Sequence, residues 1–256
     1  MVTTKFDAQI YERDIYQDTV YSAWLKNSNE RDVLEQVLRD HFSWWAEDRM
    51  SILDIGCGTG SAARRVFNLL TERGFSYQYT GVDPYEDQLT RFREDFQGNA
   101  SVELVCSGVE EASFIEHYDF AMIVHALYYV DSLEKMLEKI TASATKTFIV
   151  HHGKFGINEV HERFRSYVKP GAHIISTWED VQKALDGLGI AYKLEVRDTE
   201  VNVSSCQQEG NKEGEQLIKF FLEQSNPPDS VVSEVRAWLA SRPGVMKQDV
   251  GYFFIG

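Results

Sequence analysis

Ser51-Ile52-Leu53-Asp54-Ile55-Gly56-Cys57-Gly58-Thr59-Gly60 decides the fold. The first five residues read as a short buried strand, three glycines follow in five positions, and Ala62, Val66, Leu69 and Leu70 then recur at helical spacing. This is a strand, a glycine-rich turn and a helix. Downstream the alternation repeats, with strands expected over 77–83, 102–106, 118–124 and 147–151 and helices over 87–96 and 132–140. Helices over 159–167 and 179–188, a strand over 191–197, helices over 214–223 and 230–239 and a strand over 250–255 complete the pattern. Upstream, residues 11–45 read as two helices, with Asn29 as the N-cap of the second. Strands alternating with helices of this length pair in parallel through right-handed crossovers, which makes an α/β, doubly wound open sheet. Ligands on such sheets bind beyond the strands' carboxyl ends.

The chain has 256 residues, 43% of them hydrophobic, enough for one sizeable core. No internal repeat or low-complexity linker divides it, so a single domain over 1–256 is expected. The formal charge of -14 disfavours phosphate backbones and anionic membrane surfaces, both of which call for clustered Lys and Arg. Neither nucleic acid nor membrane is an expected partner, and a monomer is the default. No run of about 18 apolar residues occurs and the start of the chain lacks a basic-then-apolar leader, which reads as cytoplasmic. Cys57, Cys106 and Cys206 are odd in number and far apart, as expected of reduced thiols. The histidines lack Cys or carboxylate partners at ligand spacing, so no metal is expected.

A Gly-x-Gly-x-Gly turn directly after a strand lets the backbone approach a ligand closely, because glycine has no β-carbon. Such a turn cradles either a diphosphate or the aminocarboxypropyl end of a methyl donor. Asp54, inside the strand, suits an ammonium group better than a diphosphate. The second strand ends at Val82-Asp83-Pro84, where the Asp83 carboxylate can accept both hydroxyls of an adenosine ribose. Nicotinamide dinucleotides use a similar acid, but their fingerprint is Gly-x-Gly-x-x-Gly, and position 61 here is Ser. The glycine spacing therefore favours S-adenosylmethionine, with S-adenosylhomocysteine (SAH) as product.

These motifs resemble those of class I S-adenosylmethionine-dependent methyltransferases. The run His125-Ala126-Leu127-Tyr128-Tyr129-Val130, then His173 to Thr177, Leu188 to Tyr192, and Glu209 to Gly214 leading into Phe220-Phe221-Leu222, is similar to the histamine N-methyltransferases. The resemblance runs from about residue 11 to the C-terminus. It implies a Rossmann-like methyltransferase fold with a seven-stranded, mostly parallel sheet whose last strand is antiparallel. It also implies a helical substrate lid built from 1–48 and from insertions at 153–175 and 199–247. Donor contacts carried over residue by residue are Gly56, Asp83, Gln88, Ser107 and Val124, with Tyr128 and Tyr129 bordering the transfer cleft; the turn itself adds Asp54, Gly58 and Gly60 as expected donor contacts.

Methyl transfer is an in-line displacement, so a protein accelerates it mainly by aligning the nucleophile and excluding water. Aromatic walls suit a cationic amine, and Tyr11, Tyr16, Trp24, Tyr128, Tyr129 and Phe155 are candidates, with Tyr16 expected at the substrate. Glu30 matches the place where the family offers a glutamate to its amine, although a solvated first-turn Glu is the ordinary alternative. At His125 the family carries glutamine. An imidazole can replace one donor or one acceptor of that amide and can also accept a proton near neutral pH. His125 is therefore expected to orient the nucleophile and to serve as a base. The family's C-terminal asparagine falls at Gln248 or Asp249, and Ile157 and His161 stand where it has tryptophans. The expected reaction is N-methylation of a small amine or imidazole-type substrate, histamine-like. The alternatives are a natural-product O-methyltransferase using His125 as base, and a non-catalytic donor-binding protein.

Overall fold

The computed structural model describes residues 18–112, 117–168 and 176–256. Tyr11 and Tyr16, at the start of the first expected helix, and the His173 to Ile175 stretch lie outside the described residues. The sheet is built from β1 (Arg49–Ile55), β2 (Ser76–Asp83), β3 (Val102–Cys106), β4 (Tyr118–Val124), β5 (Ala144–His152), β6 (Lys193–Asn202) and β7 (Val245–Ile255). Its order is β3-β2-β1-β4-β5-β7-β6. Pairs β1/β2, β1/β4, β2/β3 and β4/β5 are parallel, and β7 runs antiparallel to β5. The seven-stranded, mostly parallel sheet with an antiparallel last strand is thus as expected.

The described residues fall into two compact units. One holds 31–112, 117–152, 176–197 and 250–256; the other holds 18–30, 153–168 and 198–249. In the first, strand alternation sends side chains to two faces. Met50, Ile52, Phe120, Met122, Phe148, Val150, Tyr252 and Phe254 join one buried cluster, while Leu53, Ile55, Ala121, Ile123, Ile149 and Phe253 join another. Helix α2 (Glu30–Asp40), from Leu34 onward, α3 (Phe42–Trp45), α4 (Ser61–Glu72) and α5 (Glu86–Asp95) contribute to the first cluster. Helices α6 (Leu133–Ser143) and α8 (Trp178–Leu188) contribute to the second. Each large side chain fully buried in this way contributes roughly 1.5–3 kcal/mol.

In the second unit, α1 (Asp18–Asn27), α7 (Ile157–Arg163), α9 (Lys212–Leu222) and α10 (Asp229–Ala240) share a core with Val201, Val203 and Met246. Trp24 stacks on Phe220 with centroids 4.8 Å apart and meets Phe221 edge-on. Trp24 is thus core rather than an aromatic wall. Lys26 and Asn27 both reach Glu213, tying α1 to the start of α9.

Asn29 stands directly before α2, and its Oδ1 accepts the Glu200 N–H at 2.7 Å, beside a β-bridge between Ser28 and Val201. Two expectations are corrected by local chemistry. The helix expected to reach Trp45 breaks at His41 into α2 and α3. The last strand begins at Val245, five residues before its apolar run, because Gln248 is buried and satisfied by hydrogen bonds rather than solvated. Among the described residues no helix is long and apolar enough to cross a membrane.

Candidate active site

The strand order reverses between β1 and β4, so the crevice of this doubly wound sheet opens at their carboxyl ends. The glycine turn leaves β1 there. Gly56 and Cys57 both donate to the Val82 carbonyl, Gly60 donates to the Cys57 carbonyl, and α4 begins at Ser61. Gly56 (φ +70°) and Gly60 (φ +81°) adopt left-handed backbone that penalises a β-carbon. A β-carbon on Gly56 would stand 2.4 Å from that of Ala126, and one on Gly60 would meet the Phe92 and Phe96 rings at 2.7–2.8 Å. Gly58 differs: nothing lies within 4 Å of the place its β-carbon would take. The outer two glycines permit internal packing, and the middle one faces open space that a ligand can occupy.

Asp83, at the end of β2, is buried and accepts two backbone N–H groups, Gly58 at 3.0 Å and Tyr85 at 3.0 Å. Burial pushes its pKa up to about 6, against the lowering effect of those two bonds. Asp54 is buried as well, and its Oδ2 accepts the Tyr79 hydroxyl at 2.7 Å. Desolvation raises Asp54 to about 7; the Tyr79 bond lowers it, Asp83 raises it further and Arg31 lowers it. Gln88 is half-buried in the first turn of α5, its N–H donating to the Tyr85 carbonyl. Ser107 donates its N–H to the Asp83 carbonyl at 3.1 Å, and Val124 closes β4. Asp54, the glycines, Asp83, Gln88, Ser107 and Val124 all belong to the unit that holds the sheet.

The two buried carboxylates weaken the donor-free protein. Each holds its proton more tightly folded than unfolded, where a carboxylate titrates near 4. The folded chain therefore carries more protons between about pH 4 and about pH 7, and stability falls as pH rises through that window. Asp54→Asn keeps an acceptor for Tyr79 and removes the charge. It is expected to stabilise the donor-free protein at pH 8 by about 1–3 kcal/mol, roughly 3–10 °C in Tm. At pH 4.5 the gain should shrink to near zero, and donor affinity should fall at pH 8. Thermal denaturation at the two pH values checks this; an equal gain at both would contradict it.

His125 follows β4 directly and is one of two non-glycine residues with positive φ among those described, at +56°. Strain of this kind in a bulky residue costs on the order of 1–2 kcal/mol and gathers at functional sites. Its N–H donates to the Val150 carbonyl of β5 at 3.1 Å, and its neighbour Ala126 abuts Gly56. The imidazole stacks on His152 with centroids 4.0 Å apart, and its Nδ1 lies 3.3 Å from the Tyr128 hydroxyl. Tyr128 is buried in a 3-10 turn, Leu127–Tyr129, stacks on His151 at 4.1 Å and accepts the His152 N–H at 2.8 Å. His151 Nε2 lies 2.8 Å from the Ser176 hydroxyl. Tyr129 stands edge-on to Tyr128 and is half-buried. His125, Tyr128 and Tyr129 are thus brought beside the glycine turn.

Glu30, Gln248 and Asp249 belong to the other unit. Glu30 is 2% exposed, so the solvated first-turn reading is set aside; its N–H donates to the Ser28 hydroxyl. Asp249 Oδ1 accepts the Phe155 N–H at 2.9 Å, and its carbonyl accepts the Gly153 N–H at 2.6 Å. Gln248 Oε1 accepts the Ile157 N–H, and its Nε2 donates to Thr199. These side chains clamp the segment between β5 and α7. With exposed Phe155, Val245 and the Glu159–Arg242 ion pair they line a cavity of about 370 Å³.

Tyr79 is the group that spacing did not single out as a site residue. The signal for Tyr79 is Gly81 in the middle of a buried strand: a β-carbon there would meet Cys57 Sγ, Leu104 and the Tyr79 ring at 2.8–3.0 Å.

A model described as a methyltransferase domain matches residues 52–146. Histamine N-methyltransferase of Cavia porcellus is 24% identical over 214 residues, 72% of this chain and 71% of its own. Malonyl-[acyl-carrier protein] O-methyltransferase of Acetivibrio thermocellus is 25% identical over 147 residues, 57% of this chain and 49% of its own. The solved structure of coclaurine N-methyltransferase, bound to N-methylheliamine and SAH, superimposes with a TM-score of 0.52 at 15% identity, covering 87% of this chain and 71% of that one. The fold and the matched domain are those of class I S-adenosylmethionine-dependent methyltransferases, and the open face at Gly58 and the Asp83 carboxylate fit S-adenosylmethionine as methyl donor.

Proposed function

We propose that the chain methylates a nitrogen of a small amine or imidazole-type acceptor, with histamine as the most specific candidate. The observation carrying this reading is His125, held in left-handed backbone at the end of β4 with its neighbour against the glycine turn. When bound, the donor supplies an electrophilic methyl on a cationic sulfur. Asp83 would hold the ribose, the turn Gly56–Gly60 the aminocarboxypropyl end with Asp54 near its ammonium, and Gln88, Ser107 and Val124 the adenine side. His125 orients the acceptor, and Tyr128 and Tyr129 supply apolar walls that exclude water. Glu30, buried and acidic, is the proposed partner of a cationic acceptor group, and the charge of -14 permits such an acceptor. Tyr16, outside the described residues, is retained as a proposed acceptor contact, as are Gln248 and Asp249.

The test is to incubate the protein with methyl-labelled donor and a panel of amines, imidazoles and phenols, and to identify the products by mass spectrometry. N-methyl products are expected. O-methyl products alone would favour the second reading, a hydroxyl acceptor deprotonated by His125, and tight donor binding with no product would favour a non-catalytic role. With an accepted substrate, His125→Ala is expected to lower kcat/KM by roughly 10- to 100-fold, the worth of one hydrogen bond realised at the acceptor. His125→Gln should retain part of the rate. Full turnover by both variants would remove His125 from the reaction.

A further inference from the structure

Beyond Ser107 the chain makes one turn, closed by the Glu111 and Ala112 N–H groups, which both donate to the Gly108 carbonyl, at 3.1 and 2.9 Å. A single turn is marginal by itself. This one starts from a residue whose N–H is tied to the Asp83 carbonyl, and its Ala112 packs into the cluster that holds Met136, Leu137 and Ile140 of α6. From the same helix Lys139 reaches the turn, and its Nζ donates to the Val109, Glu110 and Ala112 carbonyls at 2.7, 3.0 and 2.7 Å. An ammonium is a compact charge with three donors, and carbonyls closing a helical turn carry partial negative charge. We infer that Lys139 is a positioning residue for the methyl donor: its ammonium gathers three carbonyls and holds the turn 108–112, and with it Ser107, in donor-binding geometry.

This rests on the reading of Ser107 as a donor contact on the adenine side and adds the group that keeps it there. A surface lysine ordinarily extends its charge into water. Lys139 is instead half-buried, where desolvation lowers its pKa and Glu110 raises it. Its charge-assisted bonds offset that cost, and all three fall on one turn. The same turn is tied to the transfer cleft, since Glu110 Oε1 accepts the N–H of Asp131, two residues beyond Tyr129, at 3.2 Å. Arginine is a poor replacement, because its planar fork spreads the donors over separate nitrogens instead of converging them on one.

The test combines calorimetric titration with SAH and backbone hydrogen–deuterium exchange in wild type, Lys139→Met and Lys139→Arg. Lys139→Met keeps an unbranched apolar stem and removes the charge and the donors. It is expected to raise the SAH Kd about tenfold, the effect of a turn that holds its binding geometry a tenth of the time. In donor-free protein it should also speed exchange of the 107–112 peptide while leaving that of Gly56–Gly60 unchanged, a local signature that a general loss of stability would not give. Lys139→Arg should fall between the two, and it carries the test if Lys139→Met fails to fold. A Kd within twofold of wild type overturns the inference, with or without faster exchange, and so does a raised Kd with exchange of 107–112 unchanged. Failure of the underlying reading looks different: in wild type, SAH would protect Gly56–Gly60 and leave 107–112 unprotected, which removes Ser107 from the donor site whatever Lys139 holds.

Discussion

Gly56→Ala is expected to raise the dissociation constant for SAH by roughly 10²-fold or more, because the added carbon has no place to go. Gly56 sits at φ +70°, where an alanine costs about 1–2 kcal/mol. Its β-carbon would also stand 2.4 Å from that of Ala126, an overlap that costs a further 1–3 kcal/mol or so unless one segment moves. The turn is the segment able to move, since β1 is locked between β2 and β4 in a parallel ladder. Moving it breaks the bonds from Gly56 and Cys57 to the Val82 carbonyl and shifts Gly58, whose open face is the candidate ligand surface. Calorimetric titration with SAH measures the effect, with circular dichroism confirming a folded chain. An affinity within about threefold of wild type would mean that the turn does not touch the donor.

Asp83→Ala should weaken SAH binding to a similar degree. The carboxylate accepts Gly58 and Tyr85 N–H groups, and each charge-assisted bond of this kind is worth about 1.5–3 kcal/mol. Its loss loosens the turn and removes the ribose acceptor together. The wild-type protein should show the same dependence through pH. Asp83 must be ionised to accept two hydroxyls, and burial holds its pKa up to about 6. Affinity for SAH should therefore fall as pH drops through 6, by roughly tenfold between pH 7 and pH 5. Asp83→Asn should flatten this slope and bind more weakly than wild type at pH 7. A slope equal to that of wild type would assign the titration elsewhere.

The donor constellation was legible in the sequence because its parts are local: Asp54 and the glycines share ten residues, and Asp83 ends the next strand. The sheet was legible for the same reason, since apolar runs such as Tyr118 to Val124 and Val102 to Cys106 carry their own boundaries. What escaped depends on contacts distant in the chain. Gln248 and Asp249 secure Phe155 and Ile157 nearly a hundred residues away, contacts that no spacing displays. Asn29, at the cap position of α2, also serves Glu200. Tyr79 read as an ordinary strand residue, although its hydroxyl is what permits a carboxylate at Asp54 to be buried. Glu30 could be weighed only through resemblance, because exposure of a first-turn glutamate is invisible to spacing.

Hydrogen–deuterium exchange with and without SAH locates the donor site without altering a residue. Donor binding across the glycine turn and the Asp83 carboxylate requires protection, on adding SAH, in segments containing Gly56–Gly60, Asp83–Gln88, Ser107 and Val124–Tyr129, with the other peptides of the sheet-bearing unit unchanged. Protection absent from Gly56–Gly60 while SAH is bound would contradict it.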